Sequence, residues 1–369
     1  MKLLQDISIH HPSLWGQLGV VGSQGLLTWQ DCTVTPPYRI RGAQSSWWRK
    51  FGFGCYDKNG LLIDSLCYKR GGRYIYRPAE KLSSTWQKAS KCKHIDTVLY
   101  GGFISDHFGH LVLDLNRAYQ LCRAYRDSGL PIWFHYVPSP WPREIKRPPL
   151  SELAMNWFDE LGLSARIKLI RKPIRANKLI SCVSLFNDLA FASRDLGPAC
   201  QAALKPKLRD QLAATKPQYR VAYFSRHKLG TGTTRYIGEL ELVQKLEDLR
   251  HVDVYCPEDL SFDQKLAIYK KYEYVAAFPQ SCLALKLFTP PDQCAKQLLL
   301  IAGDKSLSSS WVNIDRATNA QDYYHTCTER YGYPIEVGHS TAMAEGSPFA
   351  RSNSFDVESA YGSIKDLVK

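Results

Sequence analysis

The sequence predicts an α/β protein built from two Rossmann-like domains. Its 369 residues are enough for two domains of ordinary size, each with its own core. From about residue 100, short apolar runs typical of strands alternate with longer amphipathic segments typical of helices. A second and more regular series begins at about residue 216, and such units form parallel sheets with right-handed crossovers. We therefore expect two domains that face a central cleft.

The composition is that of a globular protein, with 44% hydrophobic and 22% charged residues. The opening residues, MKLLQDISIHHP, lack the apolar core of a signal peptide, and no window approaches the ~18 apolar residues of a membrane span. The 11 cysteines form no CxxC pair, and their odd number argues against a disulfide framework or a zinc knuckle. These observations predict a cytoplasmic protein with reduced, mostly buried thiols.

The formal net charge of +13 calls for an anionic partner. The charge alone does not distinguish nucleic acid, anionic lipid and phosphorylated substrates. The basic residues form only short clusters, WWRK, KRGGR and IRKPIR, and no recognisable nucleic-acid module. We therefore expect no specific nucleic-acid partner. We favour an enzyme that visits an anionic membrane surface or binds a nucleotide diphosphate.

The predicted N-terminal domain covers residues 1–215. Its first 100 residues are rich in aromatics, glycine and turn signals, and alternating runs such as RYIYRP and TVLYGG predict strands. Helices and strands then alternate in the segments GHLVLDLNRAYQLCRAYRDSG, PIWFHYV, SELAMNWFDELGL and KLISCVSLF. The polar segment PACQAALKPKLRDQLAATKPQ predicts a connecting helix, with the domain boundary at Lys216-Pro217.

The predicted C-terminal domain covers residues 216–310 and has the pattern of a nucleotide-binding domain. Its strands are RVAYFS, VDVYC, YVAAF and QLLLIAG, and its helices are GELELVQKLEDLR, SFDQKLAIYKKY and SCLALKLF. The remaining residues, 311–369, form a polar tail that we expect to pack back across the domains.

Two strand ends of this C-terminal domain carry candidate binding residues, because ligands of open parallel sheets bind outside the carboxyl ends of strands. Ser225, Arg226 and Lys228 follow the first strand, and the segment GTGTT lets backbone N–H groups turn toward a phosphate. The guanidinium of Arg226 is a planar fork that matches phosphate oxygens. A solvated basic loop is the alternative interpretation.

The third strand of the same sheet ends at Pro279. Gln280, Ser281 and Cys282 then open a helix, and amides at a helix N-terminus form an anion site. Any strand-to-helix turn gives a similar pattern. Because both loops follow strands of one sheet, we expect them to lie near one another.

Four further segments occur in a fixed order: HFGHLVLD, YFSR, RYIGELE and LSFDQKLAIYKKYEYVAAFPQSCLALKLF. This order resembles glycosyltransferase family 61, over about residues 100 to 305. That family includes bacterial capsular-polysaccharide enzymes, plant xylosyl- and arabinosyltransferases, and animal N-acetylglucosaminyltransferases. The family's motifs are matched at Gly109, His110, Asp114, Ser225, Arg226, Arg235, Glu239 and Glu241.

The chain also departs from the family's pattern. His107 and Gly238 stand where the two motifs usually have asparagine. The family's Gly-Pro-His-Gly-Ala-Gly loop is FPQSC here, so Gln280 stands near the usual histidine. Arg117 is one residue closer to His110 than the family's arginine.

The resemblance implies a GT-B architecture and an inverting transfer of a sugar from a nucleotide sugar, UDP-linked, to a hydroxyl of a surface or capsular polysaccharide. It implies no divalent metal or other cofactor, and the sequence shows no HExxH motif and no DxD pair at a strand end. The expected partners are the donor, a glycan or lipid-linked glycan acceptor, and an anionic membrane surface at the inner face of the cell membrane. Two alternatives stay open: a pyruvyl- or Kdo-type transferase on a similar scaffold, and a non-catalytic binding homologue.

The resemblance and the strand-end loops together assign a role to each candidate residue. The catalytic candidates are His110 and Asp114, with acceptor-side support from His107, Asp106 and Arg117. The donor-binding candidates are Ser225, Arg226, Lys228, Arg235, Glu239, Gln280, Ser281 and Cys282.

Helix geometry sharpens the roles of the catalytic candidates. At about 100° per residue, His110, Asp114 and Arg117 fall within one narrow arc opposite a broad apolar face. His110 lies in the first turn, where the helix dipole disfavours the imidazolium. Either Asp114 orients this ring as a base, or Asp114 is itself the base and His110 positions the acceptor. An ordinary polar helix start is the third interpretation.

Overall fold

The computed structural model describes residues 3–40, 51–76, 78–87, 92–137, 149–216, 218–229, 234–303, 305–327 and 351–368. The WWRK cluster and the first four residues of GTGTT, predicted to contact an anionic partner, lie outside these ranges. Within the described ranges, no helix is long and apolar enough to cross a membrane.

The strands are β1 (Leu14–Trp15), β2 (Val20–Val21), β3 (Leu26–Val34), β4 (Tyr38–Arg39), β5 (Phe51–Gly52), β6 (Cys55–Tyr56), β7 (Lys69–Arg70), β8 (Arg73–Tyr74), β9 (Lys93–Ile104), β10 (Ile132–Tyr136), β11 (Ile167–Leu169), β12 (Ile174–Cys182), β13 (Phe186–Asn187), β14 (Phe191–Ser193), β15 (Gln218–Phe224), β16 (Thr234–Ile237), β17 (Val252–Tyr255), β18 (Tyr272–Ala277), β19 (Lys296–Ile301), β20 (Leu307–Ser308), β21 (Tyr323–Thr326) and β22 (Arg351–Ser354).

The α-helices are α1 (Ser84–Gln87), α2 (Phe108–Asp114), α3 (Asn116–Tyr125), α4 (Glu152–Leu161), α5 (Leu196–Ala203), α6 (Pro206–Ala214), α7 (Glu239–Glu247), α8 (Phe262–Lys271), α9 (Ser309–Thr318) and α10 (Val357–Asp366). Short 3₁₀ helices cover Asp64–Leu66, Arg126–Ser128, Ser164–Arg166, Pro257–Asp259, Ser281–Phe288 and Pro291–Gln293.

The chain is a mixed α/β protein, as the sequence predicts, and it divides into two compact units. The first, which we call the central unit, is Val20–Pro206. The second, the terminal unit, combines Met1–Gly19 with Lys207–Lys369. The first 19 residues therefore belong with the C-terminal half of the chain.

A six-stranded mixed sheet forms the framework of the central unit, in the order β11-β10-β9-β12-β3-β6. Strands β11, β10, β9 and β12 are parallel to one another, whereas β3 is antiparallel to both of its neighbours, β12 and β6. At the end of β9, Gly101 lies so close to Phe134 that a Cβ there would be 2.4 Å from the ring. Gly102 follows with φ +97°, where the β9–β10 register shifts, so a bulge redirects the chain just before α2.

The single helix predicted after β9 is in fact two helices, because the chain breaks at Leu115 (φ −75°, ψ 9°). Asn116 explains the break. Its Nδ2 donates to the carbonyl of Leu113 at 2.7 Å, and its Oδ1 accepts from the backbone N–H of Leu185 at 2.8 Å. Such a side-chain bond replaces the backbone bond of a continuous helix. The predicted connecting helix also divides, into α5 and α6, because the residue before Pro206 disfavours helical geometry.

A five-stranded, all-parallel sheet forms the framework of the terminal unit, in the order β17-β15-β18-β19-β21. In chain order this is 2-1-3-4-5, a doubly wound arrangement whose switch point lies between β15 and β18. The segment SCLALKLF, predicted as a short helix, forms the 3₁₀ helix Ser281–Phe288.

The residues beyond 310, which the sequence pattern sets apart as a tail, contribute regular structure to the terminal unit. β21 pairs with β19 in the main sheet, β22 pairs with β16, and α10 packs against α7. At the other end of the chain, β1 pairs with β20 and Leu4 pairs with Tyr324.

Candidate active site

The segment that opens α2 places two histidines side by side in the central unit. His107 is the N-cap of α2 and is exposed, whereas His110 is partly buried in the first turn. Their ring centroids lie 4.8 Å apart. Asp114, one turn further along, ends the helix. These three residues therefore line one side of a short helix, in agreement with the arc expected for His110 and Asp114.

Arg70 reaches this helix from the β7–β8 hairpin. Its Nη2 lies 2.6 Å from Nδ1 of His110 and also contacts Nε2 of the same ring. The same Nη2 lies 3.0 Å from Oδ2 of Asp188, which follows β13. Arg70 thus joins the helix to two hairpins that are distant in sequence.

The two hairpin turns that present Arg70 and Asp188 have left-handed backbone residues. Gly71 and Gly72 adopt φ +52° and +77°, which glycine accommodates without a Cβ clash. Leu189 adopts φ +66°, an uncommon and strained conformation for a branched side chain. The backbone N–H of Gly71 donates to the carbonyl of Asp188 at 2.8 Å, so the two turns are fixed to each other.

Asp114 is bound by Tyr68, not by His110. Tyr68 Oη donates to Oδ2 of Asp114 at 2.5 Å. The expectation that Asp114 orients the His110 ring is therefore wrong, because residues of the β7–β8 hairpin occupy both positions. We call Tyr68, Arg70, His107, His110, Asp114 and Asp188 the α2 site.

The two catalytic candidates differ in how their surroundings change their protonation. Burial raises the pKa of Asp114 to about 7, and the hydrogen bond from Tyr68 and the charge of Arg70 only partly oppose it. Burial, then the charges of Arg70 and His107, hold the pKa of His110 well below its ordinary value of 6.5. At neutral pH the site therefore holds a neutral imidazole beside a carboxyl group near its titration midpoint.

Arg117 lies outside this site. Its Nε donates to the carbonyl of Cys182 at 3.0 Å and its Nη2 to the carbonyl of Ser65 at 2.7 Å. The break at Leu115 ends α2 before Arg117, so the three residues of the predicted arc do not lie on one continuous helix. The Arg117 side chain is buried and joins backbone segments, and its role as acceptor-side support stays a prediction.

Asp106 precedes the N-cap of α2, and both of its carboxylate oxygens lie 3.1 Å from Tyr136 Oη. The hydroxyl therefore donates to this carboxylate from β10. The structure places Asp106 at the edge of the α2 site, bound to the strand next to β9.

An aromatic wall lies behind the α2 site. Tyr68 and Tyr76 pack on Phe103 with centroids 5.1 and 4.8 Å away, and Phe53 packs on Tyr76 at 4.8 Å. Sequence analysis missed Tyr68, Arg70 and Asp188. The KRGGR cluster was the one available signal, since two adjacent glycines predict a tight turn that presents the flanking basic residues.

The second group of candidates surrounds the end of β15 in the terminal unit. Glu239, at the start of α7, accepts from the backbone N–H of Arg226 and from Tyr223 Oη, both at 3.0 Å. Burial raises the pKa of Glu239 to about 6. Glu239 was predicted to bind the donor, but it is buried and holds the backbone of the loop after β15.

Arg226 has a partly free guanidinium. Its Nη2 donates to the carbonyl of Thr234 at 3.2 Å. Its Nε is buried and has no hydrogen-bond partner among the residues that the structure describes. Ser225, by contrast, is fully buried, and its Oγ lies 2.7 Å from Nδ1 of His227. Of Ser225 and Arg226, only Arg226 has an N–H donor without a partner among the described residues.

The loop after β18 lies against the end of β15, as adjacent strands require. Gln280 Nε2 donates to the carbonyl of Phe224 at 2.7 Å. Ser281 is half-buried at the start of the 3₁₀ helix, and Cys282 is buried, with a thiol pKa that burial raises to about 12. The thiol of Cys282 therefore belongs to the core, and a donor contact through the backbone of this residue stays a prediction.

Two predicted donor-binding residues are exposed, and their role stays a prediction. Lys228 is exposed beyond the end of β15. Arg235 is exposed on β16, while its neighbour Tyr236 is buried and stacks on Phe278 at 4.1 Å. Because successive strand residues point to opposite faces, Arg235 faces away from that stack. We call Ser225, Arg226, Glu239 and Gln280 the β15 site.

No family model and no curated protein matches the chain. Among the described residues, no group of three or more histidine, cysteine, aspartate and glutamate side chains is arranged to hold a metal ion.

Proposed function

We propose that the protein is a glycosyltransferase that moves a sugar from a nucleotide sugar, UDP-linked, to a hydroxyl of a surface or capsular polysaccharide. The proposal includes inversion at the anomeric carbon, no requirement for a divalent metal, and a GT-B architecture. The observation that carries it is the position of Arg226, which has an unused buried donor at the switch point of a doubly wound parallel sheet.

The β15 site contains groups that can bind a nucleotide diphosphate. Ligands of doubly wound sheets bind at the carboxyl edge next to the switch point, where β15 and β18 end here. A guanidinium binds phosphate oxygens through charge-assisted hydrogen bonds and stabilises the charge of a departing diphosphate. Glu239 and Gln280 fix the two loops around Arg226, so that this donor is held in place before the ligand binds.

The α2 site supplies groups for the acceptor. Inverting transfer requires a base that removes the proton of the attacking hydroxyl. A carboxyl group with a pKa of about 7 and a neutral imidazole lie together here, and a general base is most effective when its pKa is near the working pH. The charges of Arg70 and Asp188 balance, which suits a neutral hydroxyl acceptor.

The test is a thermal-shift and hydrolysis screen with UDP-, GDP- and CMP-sugars. We expect one UDP-sugar to raise the melting temperature and to be hydrolysed slowly. Arg226→Lys should weaken its binding about tenfold or more, because a lost charge-assisted hydrogen bond is worth about 1.5–3 kcal/mol. Arg250→Lys, an exposed arginine of the same unit, is the matched control and should bind as wild type.

The same screen tests the other functions. If no nucleotide sugar raises the melting temperature or is hydrolysed, the proposal is contradicted. Activity with phosphoenolpyruvate or CMP-Kdo alone would instead support the related surface-polysaccharide transferase.

We also propose that the enzyme is cytoplasmic and peripheral to the inner face of the membrane, because its net charge of +13 attracts anionic lipid. Failure to co-sediment with anionic vesicles at low salt would contradict this location.

A further inference from the structure

We propose that Arg70 is a positioning residue, which keeps the His110 ring neutral and fixed so that the proton of the acceptor hydroxyl passes to Asp114. The inference rests on the proposed function for the nature of the acceptor. It assigns different tasks to the two catalytic candidates, and it gives a role to a residue of the β7–β8 hairpin.

The first step is the direction of the hydrogen bond between Arg70 and His110. A guanidinium has only N–H donors and no lone pair to offer. The ring nitrogen that binds Arg70 Nη2 must therefore be the one without a proton. In the neutral ring the other nitrogen carries the proton, whereas in the imidazolium both nitrogens are protonated and neither can accept from Nη2, which lies 2.6 Å from Nδ1. The contact is compatible only with a neutral imidazole.

The second step is that Arg70 cannot easily move away from the ring. Its Nη2 is paired with Asp188, and the backbones of the two turns are hydrogen-bonded between Gly71 and Asp188. Leu189 holds the Asp188 turn in a left-handed conformation, which persists only where the surrounding structure fixes it. Arg70 is thus held from both hairpins.

The third step concerns the charged and titratable groups around each candidate. His110 meets Arg70 from β7 and His107 from its own helix, and both lower its pKa, as does burial. Tyr68, Arg70 and Asp188 act electrostatically on Asp114 from within the α2 site, and Arg117, Tyr76 and Tyr119 do so from outside it. Burial outweighs the cations among them, so the carboxyl remains basic enough to accept a proton near neutral pH.

These steps define a balanced proton transfer. The acceptor oxygen forms a bond to the anomeric carbon as the bond to the nucleoside diphosphate breaks, and the diphosphate leaves with that electron pair. The acceptor proton passes to Oδ1 of Asp114, while Oδ2 keeps its hydrogen bond from Tyr68. His110 stays neutral throughout and directs the acceptor. Asp114 later returns its proton to solvent.

The first experiment follows the histidine ring by NMR, with ¹⁵N-histidine-labelled full-length protein and His110→Gln to identify its signals. In wild type, His110 should remain neutral, in one tautomer, from pH 5.5 to 8. In Arg70→Gln, its midpoint should rise toward the ordinary value of 6.5. Arg70→Lys keeps a cation and should restore the neutral ring. Arg73→Gln changes an exposed arginine of the same hairpin and should leave the titration unchanged.

The second experiment measures the pH dependence of sugar transfer. Wild type should show one ionisation near 7, which Asp114→Asn removes together with at least about a hundredfold in kcat. His110→Gln should keep that ionisation. Arg70→Gln should move it to higher pH, since the cation that lowers the pKa of Asp114 is gone.

The two experiments separate the inference from the proposed function. If wild-type His110 titrates between pH 5.5 and 8, or if His110→Gln removes the ionisation, the role of Arg70 is wrong even when sugar transfer is found. If His110 behaves as described but no nucleotide sugar reacts, the proposed function fails while the effect of Arg70 on the ring stands.

Discussion

Gln280 Nε2 donates a hydrogen bond to the carbonyl oxygen of Phe224 at 2.7 Å, so that the loop after β18 caps the end of β15. Gln280 is buried, and so is Phe224. A buried carbonyl without a donor costs free energy, and the glutamine side chain prevents that cost at the switch point of the sheet. The bond therefore joins the two loops that flank Arg226.

Replacing this glutamine should loosen both loops. We expect Gln280→Ala to lower the free energy of unfolding by about 1–3 kcal/mol, because it leaves a buried carbonyl unpaired. It should also weaken UDP-sugar binding, measured by the same thermal-shift titration. Gln244→Ala removes an exposed glutamine of α7 and serves as the control. Equal stability of the two variants would show that the loops do not depend on this bond.

The carboxyl group of Asp114 makes stability depend on pH. Burial raises its pKa from 3.8 to about 7 in the folded state, so the folded protein holds a proton that the unfolded chain releases between those values. Stability from this group therefore falls as the pH rises from about 4 to 7. Asparagine does not ionise, so a protein with asparagine at this position should not lose stability in this way as the pH rises.

We therefore expect the free energy of unfolding of Asp114→Asn, relative to wild type, to increase between pH 5 and pH 8 by at least about 1.4 kcal/mol, the equivalent of one pKa unit. Urea unfolding at both pH values measures the difference. The contributions of the other titratable groups to the free energy of unfolding cancel, because both proteins carry these groups. Asp210→Asn, at an exposed position of α6, should give the same difference from wild type at both pH values. A similar pattern for both variants would mean that Asp114 is not the source.

Sequence patterns predict the order of strands and helices well in this chain, because each pattern is local. The strands β15, β17, β18 and β19 and the helices between them follow from short-range periodicity. The α2 site depends on other information. Arg70 and Asp188 come from hairpins far apart in the sequence, and only the fold brings them to His110.

Two segments show what local reasoning does not reach. The continuous arc from His110 to Arg117 assumed an unbroken helix, but the side chain of Asn116 takes the carbonyl of Leu113. Glu239 was named as a donor-binding residue because it matches a motif of the resembled family. The sequence does not show that its side chain is buried and accepts from the backbone of Arg226 and from Tyr223, because burial depends on the fold and not on residue type.

A buried ionic cluster in the terminal unit predicts a large loss of stability. Lys286 contacts both Asp315 and Asp322, and all three side chains are almost fully buried. We expect Lys286→Met to cost about 3–5 kcal/mol in urea unfolding, because it leaves buried carboxylates without their cation. Adding Asp315→Asn should recover part of that loss. Lys245→Met, which breaks an exposed ion pair with Glu358, should have little effect. A small effect of Lys286→Met would show that water reaches the cluster.

Two glycines should respond to alanine in opposite directions. Gly238, the N-cap of α7, has φ +95°, and an added Cβ would lie 3.0 Å from Val357 Cγ2. Gly238→Ala should therefore destabilise the protein by more than about 1 kcal/mol. Gly362 lies within α10, where an added Cβ meets nothing within 4 Å. Gly362→Ala should stabilise by roughly 0.5–1 kcal/mol, since alanine favours a helix. Thermal unfolding of the pair measures both signs, and a loss of stability in both would contradict this account.

The pairing of β1 with β20 sets an order for folding during synthesis. The residues before Val20 leave the ribosome before the central unit does, yet their partners in β20 and β21 are made only after the whole central unit. The central unit has all its strands once Pro206 has emerged, and domains that are complete on the ribosome fold first. The opening segment must therefore wait, unpaired, while about three hundred residues are added. Until β20 is made, the backbone groups of β1 that pair with it stay exposed on the nascent chain, as those of an edge strand do.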